Sequence, residues 1–478
     1  MEQTDNARSD GHTALVRFAS LAISVVAAAV TAHVCLGSEA MPREAAFMAA
    51  IFVLAALLWV TEALPLFATA LLVIGLQLVL LANPGEWPGL GFEAGPSPGY
   101  REIVSGAADP VLLLFFGGFL LAQAAVKEGV DRSMSSLLLA PFGERPVMVM
   151  TGVMMVTALF SMFMSNTATT AMMIALVVPM LSQIPAGERF RRGLVLSVPF
   201  AANIGGMGTP IGSPPNAVAV GHLEHAGLAV SFLDWMLVAV PLMAICLAMA
   251  GGLLWWFFHP RSAGVRVRVQ PGAVGPRGWF VVTTFTVTVL LWLTDRWHGL
   301  PAAVVALLPA VAFTATRTLT GADLGRIEWS VLILIAGGIS LGAGMSMTGL
   351  ADIAVGWLPV GDGQGVLWLA AVLAVTTLLL STFMSNTAAS NLLLPIGISA
   401  AVAFDGVAHT REIAMTIALA AALAMSLPIS TPPNAIAYSR NEFNTGDMAK
   451  AGVLIGLFGT ACVILLIGPL LRMWAVGS

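Results

Sequence analysis

Apolar stretches of about 20 residues, parted by short polar or Gly/Pro-containing breaks, recur from Ala14 to Ala475. Each is long enough to cross a hydrocarbon core of about 30 Å as a helix, since a helix rises about 1.5 Å per residue. The pattern predicts an all-α polytopic membrane protein. Spans fall near 14–37, 44–62, 64–83, 109–130, 190–225, 232–258, 277–295, 299–316, 328–350, 412–438 and 449–473, about eleven transmembrane helices. Two apolar segments, 146–184 and 365–403, are too long for one crossing, and each carries a polar Ser-Asn-Thr triplet at its middle. The first 13 residues mix acidic and basic groups ahead of a long apolar run, which marks a signal anchor rather than a cleaved signal peptide.

The pattern also repeats. Leu58-Trp59-Val60-Thr61-Glu62 returns as Leu291-Trp292-Leu293-Thr294-Asp295, and Gly117-Gly118 returns 220 residues later as Gly337-Gly338. Ser161-Met162-Phe163-Met164-Ser165-Asn166-Thr167-Ala168 returns, again 220 residues on, as Ser381-Thr382-Phe383-Met384-Ser385-Asn386-Thr387-Ala388, with seven of eight residues identical. Ser213-Pro214-Pro215-Asn216-Ala217 returns as Thr431-Pro432-Pro433-Asn434-Ala435. Two homologous halves follow. The chain divides into an N-terminal segment with the first span (1–43), a first repeat (44–258), a linker (259–276) and a second repeat (277–478).

Composition sharpens the picture. With 58% hydrophobic and 10% charged residues, a water-soluble fold is excluded. The net charge of -4 comes without a basic run or an RNA-type motif, so no nucleic acid partner is expected. Cys35, Cys246 and Cys462 lie in apolar stretches at no metal-ligand spacing and read as packing residues.

The positive charges choose the topology. If 146–184 and 365–403 are re-entrant hairpins and the N-terminus is cytoplasmic, most of the 21 Lys and Arg fall on the cytoplasmic side, including Arg189, Arg191, Arg192, Arg261, Arg266, Arg268 and Arg277. Single crossings leave only a minority there. Five crossings then separate the starts of the two repeats. An odd number inverts one half relative to the other and puts the C-terminus in the periplasm. Inverted repeats with broken helices at the midplane characterise secondary transporters.

Four non-helical segments reach membrane depth, where backbone is tolerated only if buried in protein or lining a water-filled cavity. Two are the hairpin tips Ser165-Asn166-Thr167 and Ser385-Asn386-Thr387. Two are the breaks at 208–215 and 427–433, where Pro-Pro removes two donors. Each tip ends one helix, exposing carbonyls, and starts another, exposing N–H groups. The carbonyls, with Ser and Asn oxygens, suit a hard monovalent cation; the starting helix, with the Thr167 or Thr387 hydroxyl, suits a carboxylate. No Asp, Glu, His, Lys or Arg lies in the four segments, so a proton route through them lacks its titrating group. Glu62 and Asp295 are expected as contacts at span ends. The 24 Met, including Met162, Met164, Met172 and Met173, read as apolar packing.

At these residues the sequence resembles the divalent anion/sodium symporter family, carriers of succinate, citrate, related C4 acids and, in some branches, sulfate. The likeness covers nearly the whole chain. It implies SNT-tipped opposed hairpins, a homodimer of scaffold and transport domains in the cell inner membrane amid lipid, and elevator-type motion. It implies Na+ held by Ser161, Ser165, Asn166 and the Gly212 backbone, and again by Ser381, the Met384 backbone, Ser385, Asn386 and Ser430. Substrate carboxylates would meet Asn166, Thr167, Ser213, Pro214, Ser385, Asn386, Thr387, Thr431 and Pro432. Ser213 opposite Thr431, and Asn391 on the second hairpin, depart from the internal symmetry and bear on substrate choice. The expected function is sodium-coupled symport of di- or tricarboxylates. The rivals are a sodium-independent dicarboxylate exchanger or a sulfate carrier on the same fold. An intramembrane hydrolase is disfavoured because no paired aspartates, Ser-His pair or His-Glu zinc pattern falls at membrane depth, and a channel because two closed hairpins serve alternating access better than an open pore.

Overall fold

The protein is described here by a computed structural model covering residues 2–38, 41–93, 97–260, 274–356, 365–405 and 407–474. These residues are helical, with no strand among them. In the first half α1 (Glu2–Leu36), α2 (Arg43–Thr61), α3 (Leu66–Gln77) and α4 (Val111–Lys127) precede a helical hairpin, α5 (Pro146–Ser161) and α6 (Asn166–Leu181). A broken helix follows, α7 (Arg189–Gly205) and α8 (Pro214–His225), then α9 (Phe232–Phe258). The second half runs through α10 (Pro276–Leu293), α11 (Leu307–Ala315) and α12 (Trp329–Met347) to a second hairpin, α13 (Val366–Phe383) and α14 (Asn386–Asp405). A second broken helix, α15 (Thr410–Ala422) and α16 (Pro432–Tyr438), leads to α17 (Thr445–Met473).

Nine helices among the described residues are long and apolar enough to cross a membrane, and four shorter apolar helices lie at 66–82, 146–161, 166–181 and 302–315. Hydrocarbon cannot bind a freed N–H or C=O, so a closed helix is the economical crossing element and the breaks must be satisfied by protein. The spans expected at 190–225 and 412–438 are each two helices parted by a loop, at 206–213 and 423–431. α1 starts at Glu2, well ahead of the expected 14, because a helix satisfies its own backbone and need not stop where the apolar run does. Most of the 259–276 linker, 261–273, lies outside the described residues.

The duplicated glycines are sites of close approach. A Cβ at Gly117 would fall 2.4 Å from Ala306 O, and one at Gly337 would fall 2.3 Å from Ala70 Cβ. Ion pairs then close the ends of the bundle. Lys127 at the end of α4 meets Asp323 at 2.6 Å, and this ammonium, with the Thr320 hydroxyl, holds the Asp323 carboxyl below the usual carboxylate range. Arg191 on α7 reaches Glu442 with two nitrogens, at 2.6 and 3.0 Å, and donates to Leu181 O and Ile184 O at 2.6 and 3.1 Å. One guanidinium thus ties the exit of the first hairpin and α7 to the entry of α17.

Replacing Arg191 by Met keeps the stem and removes four charge-assisted bonds. A loss of about 1–3 kcal/mol is expected, seen as a melting temperature in detergent lower by roughly 1–3 °C for a chain of this length. Arg192→Met, whose pair with Asp447 is longer at 3.2 Å and more exposed, is expected to cost less. Equal effects of the two substitutions would contradict this reading.

Candidate functional site

The site grows from four places where helices stop and restart inside the bundle. At the first hairpin tip α5 ends at Ser161, and Ser165 caps α6 by accepting the Ala168 N–H at 3.3 Å. Ser161 is fully buried and its Oγ lies 2.6 Å from Asn166 Oδ1 and 2.8 Å from Ala202 O, near the end of α7. The same end of the Asn166 amide faces Ala202 O and Gly212 O, each at 3.2 Å. Every group it meets can accept. With the amide nitrogen turned there, Asn166 fills the cluster by donating. With the oxygen turned there, it joins Ser161 Oγ, Ala202 O and Gly212 O in one group of oxygens, of which Ala202 O also accepts the Gly206 N–H at 2.9 Å.

The second tip repeats this. Buried Ser381 Oγ lies 2.7 Å from Asn386 Oδ1 and 3.1 Å from Ala421 O, at the end of α15. The Ser381 hydroxyl has one proton for these two oxygens, and Ala421 O also accepts the Ala424 N–H at 3.4 Å.

The Pro-Pro loops are fixed by their asparagines. Asn216 Nδ2 donates to Gly206 O and Thr209 O at 2.9 and 2.8 Å; Asn434 Nδ2 donates to Met425 O and Leu427 O at 3.0 and 2.8 Å. These amides take up carbonyls released by the breaks. Each loop is also pinned to its neighbouring tip. Thr209 Oγ1 donates to Met162 O, and Ser430 Oγ donates to Thr382 O at 2.9 Å. Pro214 and Pro432 sit at the first turn of α8 and α16, where a missing N–H costs nothing.

Both tips and both loops open on one cavity of about 410 Å³, a size typical of small-molecule sites. All nine residues assigned to the substrate by resemblance line it, as do Ser165, Gly212, Met384 and Ser430. Ser161 and Ser381 lie fully buried behind the tips. The starts of α6, α8 and α14 lie at this cavity and bring the positive ends of their dipoles to it.

Three features differ from expectation. A titratable group does reach the tips: Ser165 Oγ donates to Glu328 Oε1 at 2.7 Å, and Glu62 lines the same cavity. The four segments hold no acid themselves, but the fold brings one in from 163 residues away, at the start of α12. Ser165, expected on a cation, has its proton on Glu328 and one lone pair on the Ala168 N–H, which leaves a single lone pair to face a cation. Asn391, expected to bear on substrate choice, is fully buried against Gly338 and donates to Leu334 O at 3.2 Å, which makes it a clamp between α14 and α12. Three contributors were not read from sequence. Ala202 and Ala421 act through carbonyls, which leave no trace in residue type. Asn203, a lone amide in an apolar helix, lacks a duplicate; its polarity was the available signal.

The citrate transporter family matches residues 56–420, more than half of the chain. The chain belongs to that family. An uncharacterized transporter of Haemophilus influenzae is 31% identical over 435 residues, 86% of this chain and 88% of the relative. The sodium-dependent dicarboxylate transporter SdcS of Staphylococcus aureus is 29% identical over 468 residues, 89% of this chain and 86% of the relative. The Alcanivorax borkumensis YdaH transporter, at 14% identity and a TM-score of 0.57, covers 90% of this chain and 99% of its own; MtrF of Neisseria gonorrhoeae, at 12% and 0.51, covers 88% and 96%. These two share the fold. The chain is thus a multi-pass membrane transport protein of a carboxylate-carrying family, not an enzyme.

Gly206 allows the first cluster to form, because a Cβ there would sit 2.5 Å from Asn166 Oδ1 and 3.0 Å from Gly212 O. Gly206→Ala is expected to displace the amide and to raise at least tenfold the sodium concentration that half-stabilises the purified protein against heat. Gly75→Ala, whose new Cβ meets nothing within 4 Å, is the control and is expected to leave the response unchanged. Indistinguishable sodium responses would remove the cluster from consideration as a cation position.

Proposed function

We propose that this transporter is a sodium-coupled symporter of di- or tricarboxylates such as succinate, with an elevator-type alternating-access cycle. The observation that carries the reading is the pair of acceptor-rich clusters, at Ser161/Asn166/Ala202 and Ser381/Asn386/Ala421, flanking one cavity that collects helix N-termini. Each cluster wants a cation and the cavity between them wants an anion, so filling either lowers the cost of filling the other. That mutual dependence is linkage, and it is what couples two fluxes. The name of the staphylococcal relative, sodium-dependent and dicarboxylate, agrees with both halves of the reading.

In this reading Na+ is held at the first tip by Ser161, Asn166, Ser165 and the Gly212 carbonyl, joined by the Ala202 carbonyl. At the second tip the ligands are Ser381, Ser385, Asn386, Ser430 and the Met384 carbonyl, joined by Ala421. The carboxylates take the donors of Thr167, Thr387, Ser213 and Thr431 and the starting helices. The two halves, 44–258 and 277–478, are inverted repeats in a homodimer of the cell inner membrane, with the N-terminus cytoplasmic and the C-terminus periplasmic. Eleven crossings and two hairpins supply that topology, and the excess of Lys and Arg on one side supports it.

Uptake of labelled succinate, citrate and sulfate into proteoliposomes, each under a sodium or a potassium gradient, tests the reading. Accumulation of a carboxylate is expected only with sodium, rising more steeply than first power in sodium. Equal counterflow without sodium would establish the exchanger instead, and accumulation of sulfate alone would shift the substrate class. Within the working transporter, Ser161→Ala and Ser381→Ala are expected to raise chiefly the sodium requirement. Thr167→Val and Thr387→Val are expected to raise chiefly the substrate KM, by about 1.5–3 kcal/mol, or roughly ten- to hundredfold. Identical patterns for the Ser and Thr changes at saturating co-ligand would undo the division of cation and anion sides.

A further inference from the structure

The two Pro-Pro loops are alike in how their asparagines bind carbonyls and unlike in what holds the residue that caps the next helix. Met425 O and Leu427 O both accept from one end of the Asn434 amide, so that end is the nitrogen and the other is the oxygen. Asn434 Oδ1 lies 3.2 Å from the Asn203 amide on α7, which must therefore present its own nitrogen. That same Asn203 Nδ2 lies 3.2 Å from Thr431 Oγ1. Thr431 also accepts the Asn434 backbone N–H at 3.3 Å as the cap of α16.

A hydroxyl oxygen has two lone pairs and one proton. Both lone pairs of Thr431 are thus engaged, and its proton has no acceptor among the described residues. Thr431 is 4% exposed and lies on the cavity wall. We propose that Asn203 is a positioning residue that converts Thr431 from an ambivalent hydroxyl into an obligate donor for a substrate carboxylate. Asn203 is itself 1% exposed, and its Oδ1 has no hydrogen-bond partner, so the donor end of the amide is the part the protein uses.

The first loop lacks the device. Ser213 caps α8 without a side-chain bond, and Asn216 Oδ1 has no partner. Since Ala202 O and Ala421 O hold equivalent places behind the two tips, the counterpart of Asn203 is Ala422, which has no amide. The cavity therefore grips its substrate unequally, with the fixed donor on the side of the second loop. The inference rests on the carboxylate reading above and extends it to a residue of the cavity wall that acts through its neighbour Thr431.

The test is labelled succinate uptake by the full-length protein in proteoliposomes at saturating sodium. Asn203→Asp keeps the shape but replaces the donor by an acceptor, which takes the Thr431 proton away from the cavity; Asn203→Leu keeps the size and removes the amide. Both are expected to raise the succinate KM about tenfold or more, with kcat and the sodium half-saturation measured at saturating succinate unchanged. Thr431→Val is expected to match them, and Asn203→Leu combined with Thr431→Val to be no worse than Thr431→Val alone. Should Asn203→Asp fail to fold because of its buried charge, Asn203→Leu still decides. Additive effects, or a loss of kcat with KM unchanged, would overturn the positioning role while the transport reading stands. Absence of carboxylate uptake by the unaltered protein would overturn both.

Discussion

A helix that stops inside a hydrocarbon layer leaves carbonyls or N–H groups with no water to bind, and each unsatisfied group costs several kcal/mol. Four such stops meet at the centre of this protein, and the polar residues nearby are first of all answers to that cost. Asn216 and Asn434 each take two loop carbonyls, Thr209 and Ser430 take carbonyls at the tips, and Ser165 and Thr431 take N–H groups of the helices they start. Once these bonds are made, what remains free is the functional surface. Gly206 serves the same end, because only a residue without Cβ lets the broken helix lie against Asn166.

The remainder is not neutral. At each tip a buried serine hydroxyl faces two oxygens and can satisfy one, and at the first tip Gly212 O adds a further acceptor. A protein built for rigidity alone would have matched donors to acceptors. The Ala202 and Ala421 carbonyls each accept a backbone N–H as well, and the oxygens gathered at each tip form a set that a small hard cation fits without requiring any ligand to be deprotonated.

The repeat made most of this legible. Duplicated Ser-x-x-x-Ser-Asn-Thr and Pro-Pro-Asn marked the four stops, and the helices break at those places. What escaped is physical in origin. The Ala202 and Ala421 carbonyls belong to backbone, so no residue type signals them. Glu328 precedes an apolar helix and follows Arg326, which in sequence is the picture of a solvated helix end; only packing carries it to Ser165. Asn391 shows the opposite error. A lone amide on a hairpin suggests chemistry, but the small Gly338 opposite it leaves a space that the amide fills.

Glu328 bears directly on the coupling ion. The cavity lining contains two glutamates and no basic residue, an odd wall for a site that takes dianions. Four helix starts, those of α6, α8, α14 and α16, supply at most roughly half a positive charge each, which falls short of a substrate carrying two negative charges beside two glutamates. In the proposed reading, cations held at the two tips offset that negative charge, whereas the dianion alone adds to it. The carboxylate that the fold delivers to the first tip thus deepens the dependence on cations. In the proposed cycle it makes an anion-first order of binding costly, which discourages the bare anion from entering and leaking across without its ions.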